Sequence, residues 1–211
     1  MAGLYDAPIW TMDEPAGHRA YVITGPQGEL LARAVRVPTG RPEPRGGGAL
    51  PYADPHAAVD ESRVLVRVEG PDETPLFFVD RAGNPMTELT RPAVLAPDGS
   101  RIGHMATRPV GAKSLFKAFS SGGRTTTERV VHDGYDQVVC TVTGGAGAQG
   151  QDCTVTDAQG TEVALIEIRR SATSQKRRSL TLKQRYAQLP EPLRTLVIAA
   201  PLALELSTPQ V

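Results

Sequence analysis

Residues 193–206 read LRTLVIAAPLALEL, from Leu193 to Leu206, and this stretch decides the fold. A nearly all-apolar run of this length must be hidden from water on every side. It is too short to cross a bilayer, since a spanning helix needs roughly 20 apolar residues. It also carries Glu205 inside it, and only residues 207–211 follow. The stretch therefore reads as a helix buried on all faces, introduced by Pro190 and Pro192, which suit a helix start but not its middle. Pro201 is expected to kink this helix or to end its first part. Something sheet-like must wrap around it.

Proline marks where that sheet lies. Fourteen of the 18 prolines fall at or before Pro109, and none falls between Val110 and Leu189. Proline is confined to edges, turns and loops of sheets, so the C-terminal half is expected to hold the more regular pairing. In the other half, Pro38 to Pro55 (PTGRPEPRGGGALPYADP) has too little apolar content to order itself and reads as a flexible surface insertion. Strand-like runs of similar character flank it, so residues 1–211 are read as one domain interrupted at 38–55.

Strand signals recur with turn chemistry between them. Ala20 to Thr24 and Glu29 to Val37 flank Gly-Pro-Gln-Gly, and Val64 to Val68 alternates. Leu76 to Val79 leads into Asp80-Arg81-Ala82-Gly83, and Ala93 to Leu95 reaches Pro97-Asp98-Gly99 before Arg101 to Met105. Thr125 to Val131, His132-Asp133-Gly134 and Gln137 to Thr143 follow. Then come a Gly-rich loop at Gly144 to Gly150, Cys153 to Thr156, the turn Asp157-Ala158-Gln159-Gly160, and Glu162 to Ile168. Asp-Gly and Asp-x-x-Gly suit hairpins because glycine supplies positive φ and Asp bonds the neighbouring backbone. The pattern predicts a meander of about ten or more antiparallel strands. Closing that sheet removes its edges, and placing the terminal helix along the axis buries the helix at the same time. Lys113 to Phe119 (KSLFKAF) is readable as a short helix or a strand.

From Pro75 to Leu206 the chain resembles the tubby C-terminal-like superfamily, in particular its LURP-one-related and phospholipid-scramblase-like members. The carrying features are the repeated units Phe78-Val79-Asp80-Arg81-Ala82-Gly83, Leu95 to Gly103 and Val155 to Gly160, followed by Tyr186 to Arg194 and the apolar helix. The resemblance implies a closed antiparallel barrel of about twelve strands around a buried C-terminal helix. It implies a lipid-binding or regulatory module rather than an enzyme, and it brings no catalytic residue. No acidic calcium-binding loop of the scramblase type stands near the terminal helix.

The strongest chemical signal is basic. Arg169, Arg170, Lys176, Arg177, Arg178, Lys183 and Arg185 fall in RRSATSQKRRSLTLKQR, with no carboxylate between Glu167 and Glu191. As a loop on a barrel rim these residues would hold an anionic lipid headgroup, each contributing on the order of 1 kcal/mol near a charged surface. The alternative is a solvated hairpin tip that keeps the edge soluble. A more dispersed set is Lys113, Lys117, Arg124 and Arg129.

Other chemistries are poorly supplied. His18, His56, His104 and His132 are scattered without zinc-ligand spacing and read as surface histidines. Cys140 and Cys153 flank the Gly-rich loop and are placed to face each other across a hairpin as free thiols, with a redox switch as the alternative reading. Trp10, Tyr21 and Tyr52 read as packing residues. The formal net charge is zero, which argues against a nucleic-acid partner, although residues 1–105 hold 10 Lys/Arg against 14 Asp/Glu and residues 106–211 hold 13 against 9. The N-terminus lacks the basic start and apolar core of a signal peptide.

The expectation is a non-enzymatic cytoplasmic module, in peripheral contact with a membrane, that binds an anionic lipid, another amphiphile or a protein partner, with no metal or cofactor. The alternatives are an enzyme or biosynthetic accessory protein with a surface-cleft active site and, last, a phospholipid scramblase.

Overall fold

A computed structural model describes residues 3–13, 20–38, 63–83, 90–108, 126–147, 150–170 and 176–207. Among these, twelve strands form one closed antiparallel barrel. They are β1 (Ile9–Asp13), β2 (Ala20–Thr24), β3 (Leu30–Val37), β4 (Arg63–Glu69), β5 (Pro75–Ala82) and β6 (Ala93–Leu95). β7 (Arg101–Thr107), β8 (Thr126–Asp133), β9 (Val138–Gly147), β10 (Gly150–Asp157), β11 (Glu162–Arg170) and β12 (Lys176–Leu182) follow. Each strand pairs with its sequence neighbours, and β1 closes the ring on β12 with Trp10 opposite Leu180. A 3-10 turn at Gln184–Gln188 then leads to α1 (Leu193–Ser207), the single α-helix among the described residues.

The alternation along the strands explains the closure. Val64, Val66 and Val68 of β4, Phe77 and Val79 of β5, and Val142 of β9 belong to one buried cluster, while the residues between them point outward. Thr195 through Leu206 of α1 are buried against the same wall, with β5, β6, β7 and β12 nearest. At about 1.5–3 kcal/mol for each fully buried Val, Leu or Ile, α1 and the lining stabilise each other more than either could alone. α1 runs through Pro201, so the expected break at that residue does not occur. The proline ring costs one helical hydrogen bond, a loss set against the burial of α1 from Thr195 to Leu206.

The two ends of the barrel differ. Five hairpins, after β2, β4, β6, β8 and β10, share one construction, a pair of backbone bonds such as Asp157 N to Thr161 O (2.9 Å) and Gly160 N to Asp157 O (2.9 Å). The left-handed position is filled by Gly28, Glu73, Gly99, Asp136 and Gly160, and Asp72, Asp98, Asp133 and Asp157 accept nearby backbone N–H groups. The start of α1 lies at this end, where Arg194 Nη2 donates to Tyr5 O at 3.3 Å. At the opposite end α1 finishes, β3, β5 and β7 end, and β4, β6 and β8 begin.

Several boundaries depart from expectation. Asp80-Arg81-Ala82 continues β5 instead of turning, because Arg63 pairs with Asp80 across the ladder. The Gly-rich stretch is mostly strand, with Gly144 opposite Cys153. β1 and β12 are strands that the sequence reading did not assign, and β12 lies within the segment read as a basic loop. Lys113 to Phe119 and most of Pro38 to Pro55 fall outside the described residues, as do Tyr52, His18 and His56. Strands from both sides of 38–55 enter the same barrel.

Candidate functional site

β12 crosses the barrel wall, so its basic residues cannot form one patch: seven residues of strand cover about 23 Å and alternate between two faces. On the outer face Arg177 Nε donates to Asp13 Oδ1 at 2.8 Å, where β12 pairs with β1. Arg169 on β11 donates to Asp152 at 2.5 Å and Glu167 at 2.7 Å. Toward the tight-turn end, Lys183 Nζ lies 3.3 Å from Glu162, and Arg185 Nε lies 3.3 Å from the nearly enclosed carboxylate of Asp157. Neighbouring strands thus supply the carboxylates that the run itself lacks. Arg170 and Lys176 face each other in register at the far end of the ladder; their side chains lie outside what the structure describes.

Arg178 points the other way. It is fully buried, opposite Met12 and Ile168, and its Nη2 donates to Glu205 on the last turns of α1. It leaves the set of surface headgroup ligands, because period-two alternation from Leu180 turns it inward. The same alternation turns three further arginines inward, toward the end of the barrel where α1 finishes. Arg36 of β3 sits opposite Val66, Arg81 of β5 opposite Val64, and Arg129 of β8 opposite Val142, all three partners being core residues. Arg81 and Arg178 are buried, while Arg36 and Arg129 are half-buried. Arg36, Arg81 and Arg178 are engaged in polar contacts within the protein. Arg129 Nε is shut from solvent with no hydrogen-bond partner, and burial holds this guanidinium below the usual arginine range, with the Cys153 thiol nearby.

Sequence reasoning placed Arg129 in a weaker surface set and missed Arg36 and Arg81. The signal was present: Ala32-x-Ala34-x-Arg36, Phe77-x-Val79-x-Arg81 and Arg178-x-Leu180 each carry a core pattern that ends in arginine near one rim. The other members of that weaker set, Lys113, Lys117 and Arg124, lie outside the described residues.

A second cluster sits on the outer wall near the tight turns. His104 and His132, opposite each other on β7 and β8, stack with ring centroids 4.5 Å apart. His104 is buried, so it is not the exposed surface histidine expected from sequence. Arg101 Nη2 lies 2.6 Å from His104 Nδ1 and 2.9 Å from Asp136 Oδ1. Because arginine only donates, His104 Nδ1 accepts and the ring is neutral. Burial first, then His132 and Arg101, hold its pKa below the ordinary histidine value.

Cys140 pairs in register with Asp157 and Cys153 with Gly144, so the two cysteines do not face each other. Both are buried and free, and burial pushes the Cys140 thiol up to about 12. Neither is activated for exchange at neutral pH. Among the described residues no three His, Cys, Asp or Glu side chains gather as a metal site, and no helix is long and apolar enough to cross a membrane.

No protein-family model matches the chain, and no curated protein matches it. Among solved structures it is similar to an Arabidopsis thaliana protein determined by X-ray crystallography. The two are 15% identical, the match covers 92% of this chain and 91% of that one, and the TM-score is 0.39. That similarity carries no argument about function.

Proposed function

We propose that this protein is a non-catalytic binding barrel that recognises an anionic ligand with the end of the barrel where α1 finishes. The observation that carries the reading is the inward turn of Arg36, Arg81, Arg129 and Arg178 at that end. Guanidinium groups recognise carboxylate and phosphate oxygens through forked, charge-assisted bonds, and a barrel interior excludes much of the water that would screen them. The resemblance of Pro75 to Leu206 to the tubby C-terminal-like superfamily supports an anionic amphiphile, such as a lipid headgroup, as the ligand. The outer residues Arg169 and Arg177, with Arg170 and Lys176 at the rim, would stand beside a membrane surface in this reading, each already balanced by carboxylates where its side chain is described.

The test is sedimentation with vesicles containing phosphatidylserine or phosphatidic acid, against phosphatidylcholine alone, at low and moderate salt. Binding to the anionic vesicles that weakens as salt shortens the screening length from about 30 to 8 Å supports the reading. Equal partitioning onto neutral and anionic vesicles, or none onto either together with no binding of soluble anions, overturns it.

A further inference from the structure

We infer that His104 and His132 form an acid-operated latch between β7 and the β8–β9 turn: when neutral they hold Arg101 and Asp136 in place, and a proton on His104 ejects Arg101. The device lies on the outer wall and is independent of the anionic-ligand reading. Arg101 Nη2 carries two hydrogens, directed at Asp136 Oδ1 (2.9 Å) and at His104 Nδ1 (2.6 Å). His132 Nδ1 lies 3.0 Å from the carbonyl oxygen of Asp136, the left-handed residue of the turn. A carbonyl only accepts, so His132 carries its proton on Nδ1. His104 accepts at Nδ1 and carries its proton on Nε2. The stacked rings therefore hold opposite tautomers, each fixed by its own partner.

Those tautomers decide what acid does. The free lone pair of His104 is on Nδ1, and a proton placed there sets donor against donor, with two cations side by side. The new N–H has Asp136 Oδ1 within 3.6 Å, so His104 takes over the carboxylate as Arg101 leaves. A proton on His132 goes to Nε2 and spares the bond to Asp136, but it charges a ring whose centroid is 4.5 Å from that of His104. The pair therefore takes up its protons in two steps.

The surroundings set the range in which this happens. Burial, then His132 and Arg101, oppose a charge on His104; Asp136 favours it, and Arg91, just before β6, opposes it. On the flanking strands the rings meet uncharged residues, Ala93 of β6 opposite His104 and Val138 of β9 opposite His132. Beyond Ala93, Asp80 of β5 is taken by Arg63, and Asp133 accepts the backbone N–H groups of Tyr135 and Gln137. The swap therefore falls below about pH 6.5, the ordinary histidine value. The turn keeps its own backbone bonds, Asp133 N to Gln137 O and Asp136 N to Asp133 O, so acid frees Arg101 without unfolding the hairpin. It adds positive charge beside the exposed side chains of Tyr135 and Val138.

The experiment is nitrogen-15 NMR of the intact chain, following the histidine rings, the Arg101 Nε–H and the backbone amides from about pH 8 to about pH 5. At neutral pH His104 is expected to carry its proton on Nε2 and His132 on Nδ1. On acidification the rings should titrate in two steps, with the Arg101 signal and the amides of the β8–β9 turn following the His104 step and the other four tight hairpins unmoved. Arg101→Met removes the opposing cation and is expected to raise the His104 midpoint by about half a pH unit or more. His104→Gln, whose side-chain oxygen still accepts from Arg101, should leave one step and an Arg101 signal that no longer moves with pH. Should His104→Gln fail to fold, Arg101→Met, changed at a half-exposed side chain, carries the test. A proton on His104 Nδ1 at neutral pH, an Arg101 signal indifferent to the His104 step, or a His104 midpoint unchanged in Arg101→Met overturns the latch. No ligand is present in the titration, so none of these outcomes bears on the anionic-ligand reading.

Discussion

Glu205 is a single acid inside an apolar helix, and its worth depends on Arg178. Glu205→Ala leaves the enclosed guanidinium without that carboxylate, a loss expected to cost roughly 3–5 kcal/mol in urea unfolding. Replacing both partners by apolar residues, Arg178→Met with Glu205→Leu, is expected to recover most of that loss, because the desolvation of both charges disappears together. A double variant as unstable as Glu205→Ala alone would show that Arg178 needs its charge for other contacts. His104 gives a pH signature of the opposite kind. Its pKa in the fold lies below the unfolded value of about 6.5, since burial and the stacked His132 disfavour a charged ring. Below that value the unfolded chain binds the proton more readily, so stability is whole at neutral pH and falls as pH drops through the unfolded pKa toward the folded one. The urea midpoint should decline between about pH 7.5 and 5.5, and His104→Gln should flatten the decline. An equal decline in both proteins would remove His104 as its source.

At the scale of elements, the approach of α1 to the wall depends on a missing side chain. A Cβ at Gly103 would stand 2.2 Å from the carbonyl oxygen of His132 and 2.9 Å from Leu196 Cδ2. Leu196 can shift, but the β8 backbone is held by its ladder. Gly103→Ala is therefore expected to cost about 1–3 kcal/mol or more, read as a lower denaturant midpoint with an unchanged slope. How far the elements were legible in sequence follows from how local their signals are. Asp98-Gly99 and Asp157-Ala158-Gln159-Gly160 announce their turns because the αL residue and the capping Asp lie within four positions of each other. α1 was legible because Leu193 to Leu206 is apolar on every face. β12 was not: Lys176 to Leu182 alternates, but Arg178 stands on the inward set with Leu180, and Asp13, which balances the outward Arg177, lies 164 positions away. The inward role of Arg178 was hidden for the same reason, since Glu205 is distant in sequence and only closure of β1 on β12 fixes which face is the inside.

For the whole molecule, the division between the two ends organises everything else. One end is closed by five like hairpins, the start of α1 and the pairs Lys183 with Glu162 and Arg185 with Asp157. At the other, α1 ends and four arginines of the adjoining strands turn inward. Composition could not disclose this, because the chain is neutral overall and Arg63, Arg108, Arg169 and Arg177 on the surface pair with carboxylates of neighbouring strands. The segregation of charge appears only when alternation is read inside a closed ring.

The most direct test of the central claim, that an anionic ligand is received at the end of the barrel where α1 finishes, is backbone amide NMR during titration with soluble inositol phosphate. The account predicts saturable shifts around Arg36, Arg81, Arg129 and Arg178 and in the last turn of α1, with the five tight hairpins unmoved. Shifts confined to the hairpin end or to the His104 and His132 wall, or no shift at any concentration, would contradict it.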